Sequence, residues 1–326
     1  MNSRLARNLG LDLVRVTEAA ALSAGRWMGV GQYEQADQAA GSAMVAALND
    51  LDICGTIAIG EEGRLHKHLP IETGCHVGAS DGPPMDIVAD PIEGRYLLGR
   101  GRPNAISVAA IAPSGTMWAP APALYMEKIV VNREAASALV PECMDAPAAW
   151  TLALVARAKN VPVRDLVVFV LDRTRHRHLV EEIRSSGARV MLRSDGDVAG
   201  ALLAATIGKG VDILMGIGGI PEGVLAACAV KALRGGMLGR LAPQTEEEQN
   251  AVQEAGLDIR QVLACDDLIA GDQVFFAATG ITNGDLLSGA RYYGERAETQ
   301  SMVLRSETGT CRMIRAEHLI GSEPDH

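Results

Sequence analysis

The chain of 326 residues has no Cys-x-x-Cys pair, no unbroken apolar stretch near its N-terminus and no excess of basic residues, its Lys and Arg being scattered, and each absence removes a class of function. Its six cysteines, Cys54, Cys75, Cys143, Cys228, Cys265 and Cys311, are widely spaced and lie mostly within apolar segments. That pattern argues against a zinc site and for reduced core residues of a cytosolic protein. Arg4, Arg7, Asp12, Arg15 and Glu18 interrupt the first segment, so it lacks the core of a signal peptide, and a cytoplasmic location is expected. With 30 Lys and Arg against 40 Asp and Glu, the formal net charge is −10, and the basic footprint of a nucleic-acid binder is missing. The uncharged run from Pro103 to Met126 is broken by Pro113, Gly115, Pro120 and Pro122, so it reads as two short strands and a turn, not as a membrane span.

What is present begins with 48% hydrophobic residues, enough for a globular chain of roughly two domains. The stretch Asp86-Ile87-Val88-Ala89-Asp90-Pro91-Ile92-Glu93-Gly94-Arg95 reads as a buried strand that stops at an acidic turn, because Pro91 cannot continue a central strand and Gly94 permits a tight turn. Asp90 and Glu93, with the carbonyl of Ile92, could present oxygen to one hard divalent cation, Mg²⁺ or Mn²⁺. Upstream, an amphipathic helix from about Arg4 to Met28 is stopped by Gly29 and Gly31. A polar linker, residues 32–36, then delivers Asp37 to the start of a second helix. Asp37 has an ordinary explanation there as a helix cap. The strand Cys54 to Ile59 also ends in an acidic turn, Gly60-Glu61-Glu62-Gly63. Glu61, Asp90, Glu93 and Asp37 would then gather at one sheet edge, where unpaired carboxylates repel unless cations neutralise them.

Past a proline-containing connection, Pro141 to Pro147, the periodicity changes, and we divide the chain into domains of residues 1–145 and 146–326. Three strands in the second stretch each run into a polar turn: Asp172-Arg173-Thr174-Arg175-His176, Ser194-Asp195-Gly196-Asp197, and Gly216 to Gly223. Alternating helices and strands predict an α/β layer, whose strand ends are where ligands bind. Arg173 and Arg175 could fork a phosphate or form a solvated basic patch with Arg177. Asp195 and Asp197 could accept hydrogen bonds from sugar hydroxyls, and Gly218-Gly219 lets backbone approach a ligand. A nicotinamide cofactor is excluded, because no Gly-x-Gly-x-x-Gly follows.

Taken together the motifs resemble the class II fructose-1,6-bisphosphatases of the lithium-sensitive sugar and inositol phosphatase superfamily. The likeness runs from Arg15-Val16-Thr17-Glu18-Ala19-Ala20-Ala21-Leu22 through Ala89 to Gly94, Tyr125-Met126-Glu127-Lys128, Asp195 to Ala199 and Gly216 to Gly223, to Ala278-Thr279-Gly280-Ile281-Thr282-Asn283-Gly284-Asp285-Leu286. The resemblance implies a layered α-β-α-β-α sugar-phosphatase fold of two halves, a homo-oligomer (dimer or tetramer), and metal-assisted removal of the 1-phosphate of fructose 1,6-bisphosphate or of its relative sedoheptulose 1,7-bisphosphate. It implies Asp37, Glu61, Asp90, Glu93 and Glu222 as metal ligands, and Tyr125, Arg173, Arg175, Asp195, Asp197 and Gly219 as substrate contacts. Glu61, Asp90 and Glu93 with Arg95 would make the catalytic turn. The chain departs from the pattern at Arg95, where the family has a threonine that orients water, at Tyr33, where it has a lysine, at Ala123, where it has an aspartate, and in the basic stretch Arg64 to Lys67, where it has acids. The departure at Arg95 keeps a catalytically weakened sugar-phosphate binder in view as the alternative.

Overall fold

The computed structural model describes residues 8–60, 62, 71–79 and 81–320. Glu61 and the basic stretch 64–67 lie outside the described residues. Two helices open the chain, α1 (Leu9–Gly25) and α2 (Tyr33–Asn49). Leu9, Leu13, Val16 and Ala20 form the buried stripe of α1, at the spacing that puts one face of a helix on a sheet. The helix ends at Gly25, three residues before the expected Met28, and Gly29 and Gly31 turn the chain at positive φ. Helix α2 starts at Tyr33, so the expected linker is already its first turn. Asp37 therefore sits one turn inside the helix, and the capping reading falls.

The sheet beneath them contains β1 (Cys54–Ile59), β2 (His76–Val77), β3 (Pro84–Glu93), β4 (Ile106–Pro113), β11 (Phe275–Gly280), β12 (Arg291–Tyr293), β13 (Arg296–Arg305) and β14 (Thr310–Leu319). Its order is β12-β13-β11-β4-β3-β1-β2, with β14 on the other edge of β13; β1 and β3 are parallel and the remaining pairs antiparallel. Strand β4 is buried on both faces, which is why its sequence runs apolar without alternation. Strand β3 was expected to stop at the acids, yet it continues through Pro91 to Glu93 by way of a register shift against β4. Its pairing with β1 ends at Val88, so Pro91 removes no ladder hydrogen bond on that side.

A second sheet has the order β10-β9-β5-β8-β6-β7, where β5 is Tyr125–Val131, β6 Val167–Leu171, β7 Arg189–Arg193, β8 Ile213–Gly219, β9 Gly236–Leu241 and β10 Leu263–Ala264. Between the sheets lie α6 (Asp197–Ala205) and α7 (Ile220–Leu233), buried around most of their circumference. Val88, Val108 and Ala110 of the first sheet and Met126, Val130 and Phe169 of the second share one apolar cluster with them. Outside the second sheet, α4 (Ala148–Lys159) and α5 (Arg177–Ser185) close a separate core with Val168, Val170 and Ile213. The short α3 (Arg95–Gly99) follows β3, while α8 (Glu246–Glu254) and α9 (Cys265–Leu268) follow β9. The architecture is five layers, α-β-α-β-α, as expected.

The sheets do not divide at residue 145. Strand β5, from the first stretch, sits inside the second sheet, and β11 to β14, from the last stretch, complete the first. The expectation of core cysteines holds only for Cys143 and Cys228, since Cys75 and Cys311 are exposed. All six are free thiols. Among the described residues no helix is long and apolar enough to cross a membrane.

Candidate active site

Ten of the twelve residues singled out in the sequence line one cleft of about 240 Å³: Asp90, Glu93, Arg95, Tyr125, Arg173, Arg175, Asp195, Asp197, Gly219 and Glu222. The cleft lies where β3, β6, β7 and β8 end and where α3, α6 and α7 begin. Asp37 reaches this cleft through Arg95, and Glu61 lies outside the described residues.

The acidic wall is fixed by backbone. Asp90 Oδ1 accepts the Ile92 N–H at 2.9 Å, which ties the carboxylate to its own turn. Glu93 is buried, and its Oε1 accepts the Val198 N–H at 3.0 Å, at the start of α6. Its Oε2 is buried with no hydrogen-bond partner among the described residues. Burial, reinforced by the neighbouring Asp195, Asp197 and Glu222, pushes the Glu93 carboxyl well above the usual carboxylate range. Burial also raises Asp195, although Arg173, 3.7 Å away, pulls the other way. Glu222, in the first turn of α7, is buried beside them.

The floor holds a group that strand periodicity had hidden. Lys128, mid-strand in β5, is fully buried and its Nζ lies 2.5 Å from Asp197 Oδ2. Gly218 makes the pair possible, since a Cβ there would come within 1.8 Å of Asp197 Oδ2 and 2.6 Å of Lys128 Nζ. Tyr125, at the head of the same strand, has its backbone N–H bonded at 3.0 Å to Glu248 Oε1, which also takes the Leu124 N–H at 2.7 Å. Glu248 was not singled out in the sequence, because a glutamate in the run Glu246 to Glu248 looks like a solvated helix start; Thr245 as its cap was the available signal.

The cationic wall is Arg173 and Arg175. Thr174–His176 forms a 3₁₀ turn that carries Arg175. Arg175 donates to the Ile217 carbonyl at 2.9 Å and stacks over Tyr125, 5.5 Å from the ring centroid. Behind it His176 is buried: Nδ1 faces the Leu171 carbonyl at 2.7 Å, and Nε2 accepts the Ile217 N–H at 2.8 Å. A carbonyl can only accept, so the proton is on Nδ1 and the ring is neutral. Burial, aided by Arg175, lowers the His176 pKa below its ordinary value.

At the far corner Arg95 lies 2.8 Å from Asp37 Oδ2. The Arg95 guanidinium sits over the rings of Tyr33 and Tyr96, 5.9 and 5.7 Å from their centroids. Among the described residues no three His, Cys, Asp or Glu side chains are gathered into a ready-made cation site. The Asp37 carboxylate, expected among the metal ligands, is engaged here by the Arg95 guanidinium.

Comparison with known proteins adds to this geometry. Residues 7–318 match the family described as "Bacterial fructose-1,6-bisphosphatase, glpX-encoded". A protein of Synechococcus sp. (strain JA-3-3Ab), named D-fructose 1,6-bisphosphatase class 2/sedoheptulose 1,7-bisphosphatase, is 37% identical over 336 aligned positions, covering 95% of each chain. A protein of Escherichia coli (strain K12), named fructose-1,6-bisphosphatase 1 class 2, is 37% identical over 327 positions, covering 96% of each.

Proposed function

The chain belongs to the bacterial, glpX-encoded fructose-1,6-bisphosphatase family, and from that premise we propose that it is a phosphatase that removes the 1-phosphate of fructose 1,6-bisphosphate to give fructose 6-phosphate and phosphate. The observation that carries the reading is the cleft itself, in which an acidic wall faces a two-arginine wall across a glycine-lined helix start. That division of labour suits a bisphosphate: one phosphate is held by fixed cations, the other is set among carboxylates. Arg173 and Arg175 hold the phosphate that is not cleaved. Tyr125 packs along the sugar, and Asp195 and Asp197 orient its hydroxyls. Asp197 is itself held in place by Lys128, so its free oxygen faces the cleft in one position. The bare backbone of Gly219, at the N-terminus of α7, lets substrate oxygen approach the helix end.

A divalent cation fits the acidic wall, because the buried Oε2 of Glu93 has no hydrogen-bond partner among the described residues and like charges crowd around it. We assign Mg²⁺ or Mn²⁺ to Glu93, Asp90 and Glu222, with Glu61 as a further ligand. When bound, the ion supplies charge neutralisation at the reacting phosphoryl oxygens and acidifies water. On the family resemblance the enzyme is cytoplasmic, gluconeogenic and homo-oligomeric.

A second substrate is favoured by the Synechococcus relative, whose name includes sedoheptulose 1,7-bisphosphatase. A phosphate-release assay over both sugar bisphosphates and their monophosphates, with Mg²⁺ and with Mn²⁺, tests the reading. Release from the bisphosphates alone, dependent on the ion, is expected; equal release from the monophosphates would overturn it.

A further inference from the structure

We propose that the Arg95 guanidinium is a resident cation of the acidic cleft: it neutralises Asp37 in place of a divalent ion, so this chain binds one ion fewer than its carboxylates would otherwise hold. The inference rests on the metal-dependent reading above, and deepens it by dividing the carboxylates between two kinds of cation.

Two observations carry it. The first is the ion pair, Arg95 to Asp37 at 2.8 Å, with both side chains four-fifths buried at 19% and 18% exposure. Arginine does not lose its proton in this setting, so the positive charge is permanent. The second is how the guanidinium is held. Tyr33 and Tyr96 stand 5.4 Å apart with their planes at 57°, and both present ring face to the cation. Room for Tyr33 is provided by Gly99, where a Cβ would lie 2.2 Å from the Tyr33 ring. The clamp is thus made by residues on two separate elements, α2 and α3, and it fixes where the charge sits. A fixed cation held in this place also repels a further ion beside it.

The test counts ions and needs no substrate. Mn²⁺ bound per chain is measured by equilibrium dialysis and by titration calorimetry for the wild type and for Arg95→Gln, Arg95→Lys and Asp37→Asn. Arg95→Gln is expected to take up one additional Mn²⁺ per chain, whereas Arg95→Lys, which keeps the charge, keeps the wild-type count. Asp37→Asn is expected to leave Mn²⁺ affinity within about threefold of wild type, where loss of a true carboxylate ligand costs on the order of tenfold or more. An unchanged count in Arg95→Gln overturns the proposal, and so does a tenfold loss in Asp37→Asn. Should Arg95→Gln fail to fold, Asp37→Asn decides alone. Failure of phosphate release in the assay above would sink the phosphatase reading while leaving the ion count intact, so the two outcomes are separable.

Discussion

Lys128 Nζ and Asp197 Oδ2 meet at 2.5 Å in the space left by the missing side chain of Gly218. The pair joins β5 to α6 directly beneath the cleft. Removing one member leaves a buried charge without a partner, which costs about 3–5 kcal/mol, whereas replacing both with apolar groups costs far less. Lys128→Met is therefore expected to unfold at markedly lower denaturant than wild type, and Lys128→Met combined with Asp197→Leu to recover much of that loss. Urea melts of the three proteins check this; a double variant as unstable as Lys128→Met would show that the pair is not the cause.

Arg175 bridges the cleft to the second sheet through the Ile217 carbonyl and the Tyr125 ring. If Arg175 grips the phosphate that stays on the sugar, it contributes a charge-assisted hydrogen bond there, and losing such a bond raises KM by a factor on the order of ten to a hundred. Arg175→Ala is expected to show that rise in KM for fructose 1,6-bisphosphate with a smaller change in kcat. An unaltered KM would remove Arg175 from the phosphate grip.

His176 gives the fold a defined response to acid. Its pKa is lowered, first by burial, so between its ordinary value and the lowered one the unfolded chain binds a proton that the folded chain does not. The stabilisation is present in full above the ordinary histidine value of 6.5 and is lost as pH falls through the lowered one. A protonated ring would also set an N–H against the Ile217 N–H, which now donates to Nε2. Unfolding free energy is expected to fall as the pH drops below 6.5 in wild type, and to fall less in His176→Asn, which cannot titrate. Equal pH slopes would exclude His176 as the source.

Much of the fold and of the site was readable because the relevant signals are local. Apolar runs that lead into Asp90, Asp172, Asp195 and Gly216 announce strands whose C-terminal ends lie at or within three residues of these positions, and strand ends are where an α/β layer collects its ligands. The same logic failed wherever a residue's meaning depends on a distant partner. Lys128 reads as an alternate-facing polar residue until Asp197, 69 positions away, is seen beside it. Glu248 acts on Tyr125 across 123 positions. Asp37 looked like a cap because nothing in its own segment discloses Arg95. A break in periodicity at 141–147 marks where the local pattern changes, but strand pairing is non-local: β5 joins the second sheet and β11 the first.

The metal assignment carries its own expectation. Asp90 is fixed by the Ile92 N–H with one oxygen, so its carboxylate is oriented before any ion arrives. Asp90→Asn keeps size and removes charge, and Mn²⁺ affinity by calorimetry is expected to drop by on the order of tenfold or more. Chelation by EDTA is expected to abolish phosphate release in wild type, with Mn²⁺ restoring it. Equal Mn²⁺ binding by wild type and Asp90→Asn would remove Asp90 from the ligand set.

Arg95 also bears on rate, separately from ion count. The family resemblance places a water-orienting threonine at this position, and a guanidinium has no acceptor with which to hold or take a proton from water. Losing a positioned proton-transfer group costs roughly 10²–10⁴-fold in rate, so wild type is expected to bind fructose 1,6-bisphosphate through the arginine wall yet turn it over slowly. Restoring the hydroxyl in Arg95→Thr is expected to raise kcat, because the substitution returns the acceptor and frees Asp37 in one step, while KM is expected to move little if Arg173 and Arg175 hold the substrate. The comparison is kcat and KM for the two proteins under saturating Mn²⁺. A fast wild type that slows on substitution would mean that Arg95 itself stabilises charge on the transferring phosphoryl group. Absence of turnover in both, with binding retained, would favour a sugar-phosphate binder over an enzyme. A rise in kcat with KM preserved would trace slow turnover to a single side chain, the guanidinium held by Asp37 and two tyrosines.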